Sequence, residues 1–371
     1  MPPDTPRIPY VNLAAQFAEE RDELMAIFER VMSRGRYIGG DEIETFEAAF
    51  ADYCGARHAV ALNSGTDALI LGLHALGIGP GDEVITQPNS FIASAAAIVL
   101  VGARPVFVDV LPDQNIDPNQ VADAVTPRTK AIMPVHLTGR VADMEPIRAI
   151  AERHGLKIIE DAAQAVGSRY DNVPAGALGD VGCFSTHPLK NLAAAGDGGV
   201  VTTNDERIAA SIRSRRNHGL VDRDTVEIFG TVSRMDTLQA AILSYRLGKL
   251  DDIIAARRRN AQLYQARLDP AKVFFPPCRA REFNTFHTFV VQLDERDAAR
   301  RALDAQGIRT AVHYPIPIHL QPAARELGYG PGDFPVCESQ ANRILTLPVF
   351  QQLSAGDIET VADAVNAFFD I

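Results

Sequence analysis

The sequence predicts an α/β protein. A large domain built on a mostly parallel sheet spans residues 1–250, and a smaller α/β domain spans residues 251–371. Three observations lead there. Between residues 59 and 203 short apolar runs alternate with helix-period stretches across short turns, the pattern of a sheet covered on both faces. Past Pro276-Pro277 the composition changes and a second, shorter strand–helix alternation begins. Finally, 371 residues at 46% apolar content suffice for two or three cores.

Taken in order, the first residues are proline-rich and extended. Phe17, Leu24, Ile27, Phe28 and Val31 then recur at helix spacing between Leu13 and Arg34. Gly35 to Gly40 breaks that pattern, and Phe46, Phe50 and Tyr53 mark a second helix. Ala59–Leu62, Glu83–Thr86, Pro105–Val110, Ala131–His136 and Leu156–Asp161 read as strands. Helices are expected at Leu69–Leu76, Phe91–Val101 and Asp143–His154. Val181–Ser185 and Gly199–Thr203 are strand-like, and Asp205 caps a helix reaching Arg216. From Met235 the chain is helical to Leu268, interrupted near Gly248. Arg257, Arg258 and Arg259 in that stretch are expected on a solvated face, the other reading being contact with a sugar diphosphate. Thr288–Leu293 and Thr310–Tyr314 are expected strands around an Arg296–Gln306 helix. A loop and a helix over Ser354–Phe369 complete the chain.

Composition excludes several classes. A net charge of −11 argues against general nucleic-acid binding, which needs a basic surface. No apolar stretch is long and uncharged enough for a membrane span, and MPPDTPRIPY lacks a signal-peptide core. Cys54, Cys183, Cys278 and Cys337 are scattered without metal-ligand or disulfide-framework spacing, so no metal is expected. These point to a reduced, cytoplasmic enzyme.

Three stretches carry chemistry. Lys190 lies in a loop between two apolar runs, five residues after Ser185 and shortly before Gly196-Asp197-Gly198-Gly199. An amine needs a confined site to be neutral and nucleophilic. Ile158-Ile159-Glu160-Asp161 ends a buried run in a carboxylate, where ligands of open α/β sheets gather. Asn63-Ser64-Gly65-Thr66 opens a helix whose free N–H groups and positive end suit a phosphate. Loop lysine, strand-end aspartate and phosphate turn are the three fixtures that pyridoxal 5′-phosphate requires.

On these residues, with Glu160-Asp-Ala-Ala-Gln-Ala165 and His313-Tyr-Pro-Ile-Pro-Ile-His-Leu-Gln-Pro322, the chain resembles the DegT/StrS sugar-nucleotide aminotransferases. These are fold type I pyridoxal-phosphate enzymes, and the likeness runs from about Ile8 to the C-terminus. The resemblance implies that Lys190 holds the cofactor covalently and moves a proton. It implies that Asp161 keeps the pyridine nitrogen protonated, and that Phe91 and Gln164 cover the two ring faces. Gly65, Thr66 and Ser185 would hold the phosphate, and Ser64 would either join them or cap the helix. Tyr37 would approach the partner subunit's site or pack in its turn. His313, Tyr314 and His319 would sit over the substrate or pack at a domain seam.

The implied activity is transfer of an amino group, from L-glutamate, to a nucleoside-diphosphate keto-sugar by a homodimer. Lys190-Asn191-Leu192 with the following GDGG leans towards 3-keto sugars. The alternatives are a 4-keto-sugar aminotransferase, a pyridoxal-phosphate sugar dehydratase and a non-catalytic cofactor-binding regulator. Three positions depart from the family pattern. Val232 replaces an asparagine that reaches the other subunit's phosphate, a contact that Ser233 or Arg234 could take over. Val166 and Thr138 stand where many relatives have histidine and tyrosine.

Overall fold

A computed structural model of the chain describes residues 7–369. Two helices lead, α1 (Leu13–Arg34) and α2 (Asp41–Tyr53). An alternating stretch follows: β1 (His58–Leu62), α3 (Gly65–Ala75), β2 (Glu83–Thr86), α4 (Ala93–Leu100), β3 (Arg104–Phe107), α5 (Pro118–Asp123), β4 (Thr129–Met133), α6 (Met144–His154) and β5 (Lys157–Asp161). The short strands β6 (Arg169–Tyr170) and β7 (Val173–Pro174) precede β8 (Val181–Ser185) and β9 (Gly199–Thr203). Next come α7 (Glu206–Arg215), α8 (Thr237–Leu247) and α9 (Leu250–Arg267). The last part holds β10 (Glu282–Phe283), β11 (Phe289–Gln292), α10 (Arg296–Ala305), α11 (Pro335–Arg343), β12 (Ile344–Leu347) and α12 (Ala355–Phe368).

The main sheet has seven strands in the order β1-β9-β8-β5-β4-β2-β3. Its pairs are parallel from β8 to β3, and only β9 runs against both neighbours. Strands covered on both faces carry short apolar runs, as Ala131–Met133 in β4, Ile158-Ile159 in β5, Val181–Phe184 in β8 and Val200-Val201 in β9 do, which makes them legible. The helix ends obey local chemistry. Asn12 accepts from the Ala15 N–H at the start of α1, and Gly35 closes that helix at φ 65°. Ser354 and Asp357 form a reciprocal capping box on α12.

The core falls into separate clusters. Phe46, Phe50, Ile132 and Phe184 belong to one face of the main sheet, and Val60, Leu73, Val84 and Ile159 to the other. A further cluster gathers Tyr264, Phe289, Leu345 and Ile358 around the two-stranded β11–β12 sheet. Ile8 belongs to this cluster and bridges Ile308, so the N-terminal segment packs with the C-terminal elements.

Two expectations need correction here. Thr310–Tyr314 is no strand: only Ala311 bridges Thr346, and the chain then turns into a loop over the main sheet. The loop expected before the last helix contains α11 and β12, and β12 supplies the pairing partner of β11. No helix among the described residues is long and apolar enough to cross a membrane.

Candidate active site

A cavity of about 410 Å³ opens at the carboxyl ends of the parallel strands. Asp161 ends β5 there, Ser185 ends β8, and Val135 and Leu137 follow β4. This is the edge of an open α/β sheet where ligands collect, because the loops diverge and the helix N-termini point inward. The cavity brings Lys190, Asp161, Gln164, Phe91, Ser185 and the Ser64–Thr66 turn together, with His313 and Tyr314 beside them.

The phosphate turn is shaped by close backbone approach. Ser64 is the N-cap of α3, its Oγ accepting from the Asp67 N–H at 3.1 Å. Its hydroxyl proton stays free for an anion, so capping and phosphate binding are compatible. A Cβ on Gly65 would lie 2.6 Å from the Ser185 Cβ, so only glycine lets the two halves of the cup meet. The glycine-rich run after Lys190 serves the same closure. A Cβ on Gly199 would fall 2.1 Å from the Ser64 carbonyl oxygen and 2.7 Å from the Gly65 nitrogen, both main-chain atoms unable to move aside. Gly199→Ala is therefore expected to destabilise the protein by about 3 kcal/mol and to weaken cofactor retention. Thermal unfolding and cofactor absorbance after gel filtration measure both, and wild-type values would contradict this packing.

Lys190 is half-buried, its N–H bonded to the His187 carbonyl at 2.8 Å, with the cavity opening onto its side chain. Burial lowers its amine to about 8, and the charge of Asp161 only partly opposes this. Asp161 is fully enclosed: Ser94 donates to Oδ2 at 2.6 Å and the Ala163 N–H to Oδ1 at 3.2 Å. Burial raises its pKa despite those bonds and the nearby Lys190 and His136. Its chain neighbour Glu160 points the other way, as strand alternation requires. It accepts from the N–H groups of Gly176, Leu178 and Gly179 and bonds His136 at 2.9 Å. Of two consecutive carboxylates, one braces the sheet and the other faces the cavity.

The remaining fixtures are aromatic and amide groups. Phe91 stands just before α4, over half exposed, with its ring 5.8 Å from that of Tyr314. Gln164 is held by the Thr138 N–H, which donates to its Oε1 at 2.8 Å, a main-chain bond that does not depend on the threonine side chain. His313 bonds Thr346 through Nδ1 at 2.9 Å, and burial lowers its pKa to about 4, leaving the imidazole neutral.

Other expected residues fall elsewhere. His319 is not at the cavity: it is buried against the Phe334 ring and bonds Glu338 at 3.1 Å, a packing residue. Tyr37 lies half exposed after α1, away from this chain's own cavity. Val232 is half exposed, but Ser233 is fully buried and donates to Asn63 Oδ1 at 3.1 Å. Ser233 is thus committed within its own chain, and so is Arg234, whose Nη1 donates to Asn217 Oδ1 at 2.9 Å. Arg257 overturns the expectation of a solvated basic face. It is 7% exposed and lines the cavity, while Arg258 lies over the Phe283 ring at 4.0 Å and only Arg259 faces solvent. Ser94, Tyr10, Asp197 and His287 also belong to the site and were not foreseen. A stripe at spacings of four and three (Leu250, Ile254, Arg257, Ala261, Tyr264, Leu268) is the signal that places Arg257 inside.

Sheet order, cavity position and a lysine that shares the cavity with a buried aspartate are those of a fold type I aminotransferase. The chain belongs to the DegT/DnrJ/EryC1/StrS aminotransferase family, whose model matches residues 18–366. It is 45% identical over 365 residues to the dTDP-3-amino-3,4,6-trideoxy-alpha-D-glucose transaminase of Streptomyces venezuelae, covering 98% of this chain and 96% of that protein. The crystal structure of S. venezuelae DesV in complex with a ketimine intermediate superposes with a TM-score of 0.97 at 44% identity, covering 99% of this chain and 100% of that one. NtdA from Bacillus subtilis, solved with the cofactor PMP bound, superposes with a TM-score of 0.89 at 31% identity, covering 95% and 82%.

Proposed function

We propose that this enzyme transfers an amino group from L-glutamate to a nucleotide-linked 3-keto sugar, using pyridoxal 5′-phosphate held by Lys190. The observation that carries the reading is one cavity joining a lysine of lowered pKa, a buried aspartate and a phosphate-sized turn. The residues fit the cofactor: Asp161 is a carboxylate that burial makes reluctant to ionise alone, and a protonated ring nitrogen is the cation it lacks. When bound, the cofactor supplies an electron sink for charge developing on the substrate carbon.

The chain's own groups do the rest. Neutral Lys190 Nζ takes a proton from the amine-bearing carbon and returns it across the same face. Asp161, enclosed and carrying a carboxylate, would hold the cofactor's ring nitrogen in its protonated form. Phe91 and Gln164 would cover the cofactor ring, and Ser185 with Thr66 would hold its phosphate. His313 and Tyr314 offer neutral groups that both donate and accept, suited to sugar hydroxyls. The preference for carbon 3 rests on the Streptomyces venezuelae relative named above and on the lysine-loop sequence.

Further parts of the reading follow. Exposed Leu13, Phe17, Met25, Phe28 and Met32 give α1 a second apolar face besides the one against α8, which supports a homodimer. Phe229 is 99% exposed in the segment before Val232, in keeping with an arm that reaches a second subunit's site. We place the enzyme in the cytoplasm and divide it near residue 250 into a large cofactor-binding unit and a smaller one.

Lys190 makes the reading pH-dependent. At about 8, its neutral fraction at pH 7 is about 300-fold that of a lysine at 10.5. The rate at which cofactor-free protein captures pyridoxal 5′-phosphate should rise with pH through about 8 and then level off. A rate still climbing at pH 10 would contradict the lowered pKa. The linked stability has the opposite origin but the same direction. Between about 8 and 10.5 the unfolded chain binds the extra proton, so cofactor-free protein gains stability from this group as pH rises across that window. The function itself is tested by glutamate-dependent amination of a panel of nucleoside-diphosphate keto-sugars, with the aminated carbon located by NMR. Deoxygenation without amination would overturn it.

A further inference from the structure

Ser94 makes a hydrogen bond that its own helix does not require. It lies in the first turn of α4, just past Phe91, 1% exposed and at the wall of the cavity. A serine inside a helix ordinarily turns its hydroxyl to solvent or back onto the preceding turn. Ser94 instead reaches across to the end of β5 and donates to Asp161 Oδ2 at 2.6 Å, the short range of a charge-assisted bond. Among the described residues it is the one side chain that donates to Asp161. The other donor is the Ala163 N–H, at 3.2 Å on Oδ1. The polar groups nearby are engaged elsewhere. His136 meets Glu160 through Nε2 and accepts the Ala142 N–H on Nδ1. Cys183 Sγ donates to the Ala68 carbonyl at 3.2 Å, and the Tyr314 hydroxyl stands 3.5 Å from Gln164 Nε2. Lys190 acts on Asp161 through its charge, within the cavity they share.

The proton between a buried carboxylate and a pyridine nitrogen can rest on either. On oxygen it leaves a neutral pair, on nitrogen an ionic one, and an enclosed site of low polarity favours the neutral pair. A hydrogen bond donated to the carboxylate favours the ionic pair. We propose that Ser94 is a positioning residue that acts through Asp161, keeping the proton of the carboxylate–pyridine pair on the cofactor's ring nitrogen. The inference rests on the aminotransferase reading, which sets that nitrogen against Asp161. A serine hydroxyl has one proton, and Asp161 takes it, so Ser94 has none to offer a substrate. Its influence on the reaction therefore passes through the carboxylate.

The test is nitrogen NMR of holoenzyme loaded with ring-¹⁵N-labelled pyridoxal 5′-phosphate, in wild type, S94A and S94T. Wild type and S94T, which keep the hydroxyl, should both show the protonated-ring signal at neutral pH. S94A should move that signal towards the unprotonated position. In cofactor-free protein, the titration of the Asp161 carboxyl carbon should move to higher pH in S94A, because the charged form has lost a donor. The single-turnover half-reaction with L-glutamate should slow by about 10-fold in S94A, its dependence on glutamate concentration unchanged, as one charge-assisted bond warrants. In a D161N background the same substitution should cost less than about 2-fold, since the route through the carboxylate is already cut. An unmoved ring signal or Asp161 titration in S94A, or a full cost persisting in D161N, would overturn the proposal and leave Ser94 as packing between α4 and β5. If the ring proton depends on Ser94 yet wild type aminates no keto-sugar, the assignment of Ser94 stands and the amino-transfer reading falls. Should S94A fail to fold, S94C, a weaker donor of similar size, carries the same readouts.

Discussion

Lys190→Ala is expected to lower amino transfer by about 10⁴-fold or more, because the proposed function gives one side chain both the covalent hold and the proton transfer. The fold should survive. Among the described residues Lys190 makes no ion pair, its main-chain bond to His187 persists in alanine, and removing the amine relieves a desolvation cost. Cofactor should still bind without a covalent link, through the Ser64–Thr66 turn, Ser185 and Asp161. The measurement is a single-turnover half-reaction with L-glutamate, followed by absorbance, alongside thermal unfolding of the same sample. A variant that reacts within tenfold of wild type would remove Lys190 from the chemistry.

Asp161→Asn is expected to retain cofactor while slowing the proton shift by about 10³-fold. The substitution is close to isosteric, and one amide oxygen can still accept from Ser94 or Ala163. What it removes is the negative charge. Asp161 is enclosed, and burial already pushes its pKa up. In the proposed function its ionised form would be stabilised by the cofactor's ring nitrogen, which in turn would keep its proton, and so its capacity as an electron sink, only beside the carboxylate. A neutral amide cannot hold that proton. Rates near wild type in the variant would show that Asp161 only caps the turn at Ala163.

The contrast between what could and could not be read from sequence has physical causes. β5 and β8 were legible because each carries a short buried apolar stretch, Ile158-Ile159 and Val181–Phe184, and their ends placed Asp161 and Ser185 at one sheet edge. The glycines near Lys190 signalled a close approach, although only the fold shows that Gly199 lies against Ser64. β12 escaped notice because a four-residue run between Arg343 and Pro348 is too short to show a period. His319 shares a loop with Tyr314, but a turn at Ile318–Leu320 directs it towards Phe334 instead of the cavity. Arg257 was misplaced because charge ordinarily marks solvent, whereas this guanidinium lies on the buried stripe of α9.

The most direct test of the account is borohydride reduction of the native holoenzyme followed by peptide mass mapping. A single phosphopyridoxyl group on Lys190 is the expected result. The same group on another lysine, or none on a protein that retains its yellow colour, would contradict the assignment on which the mechanism depends.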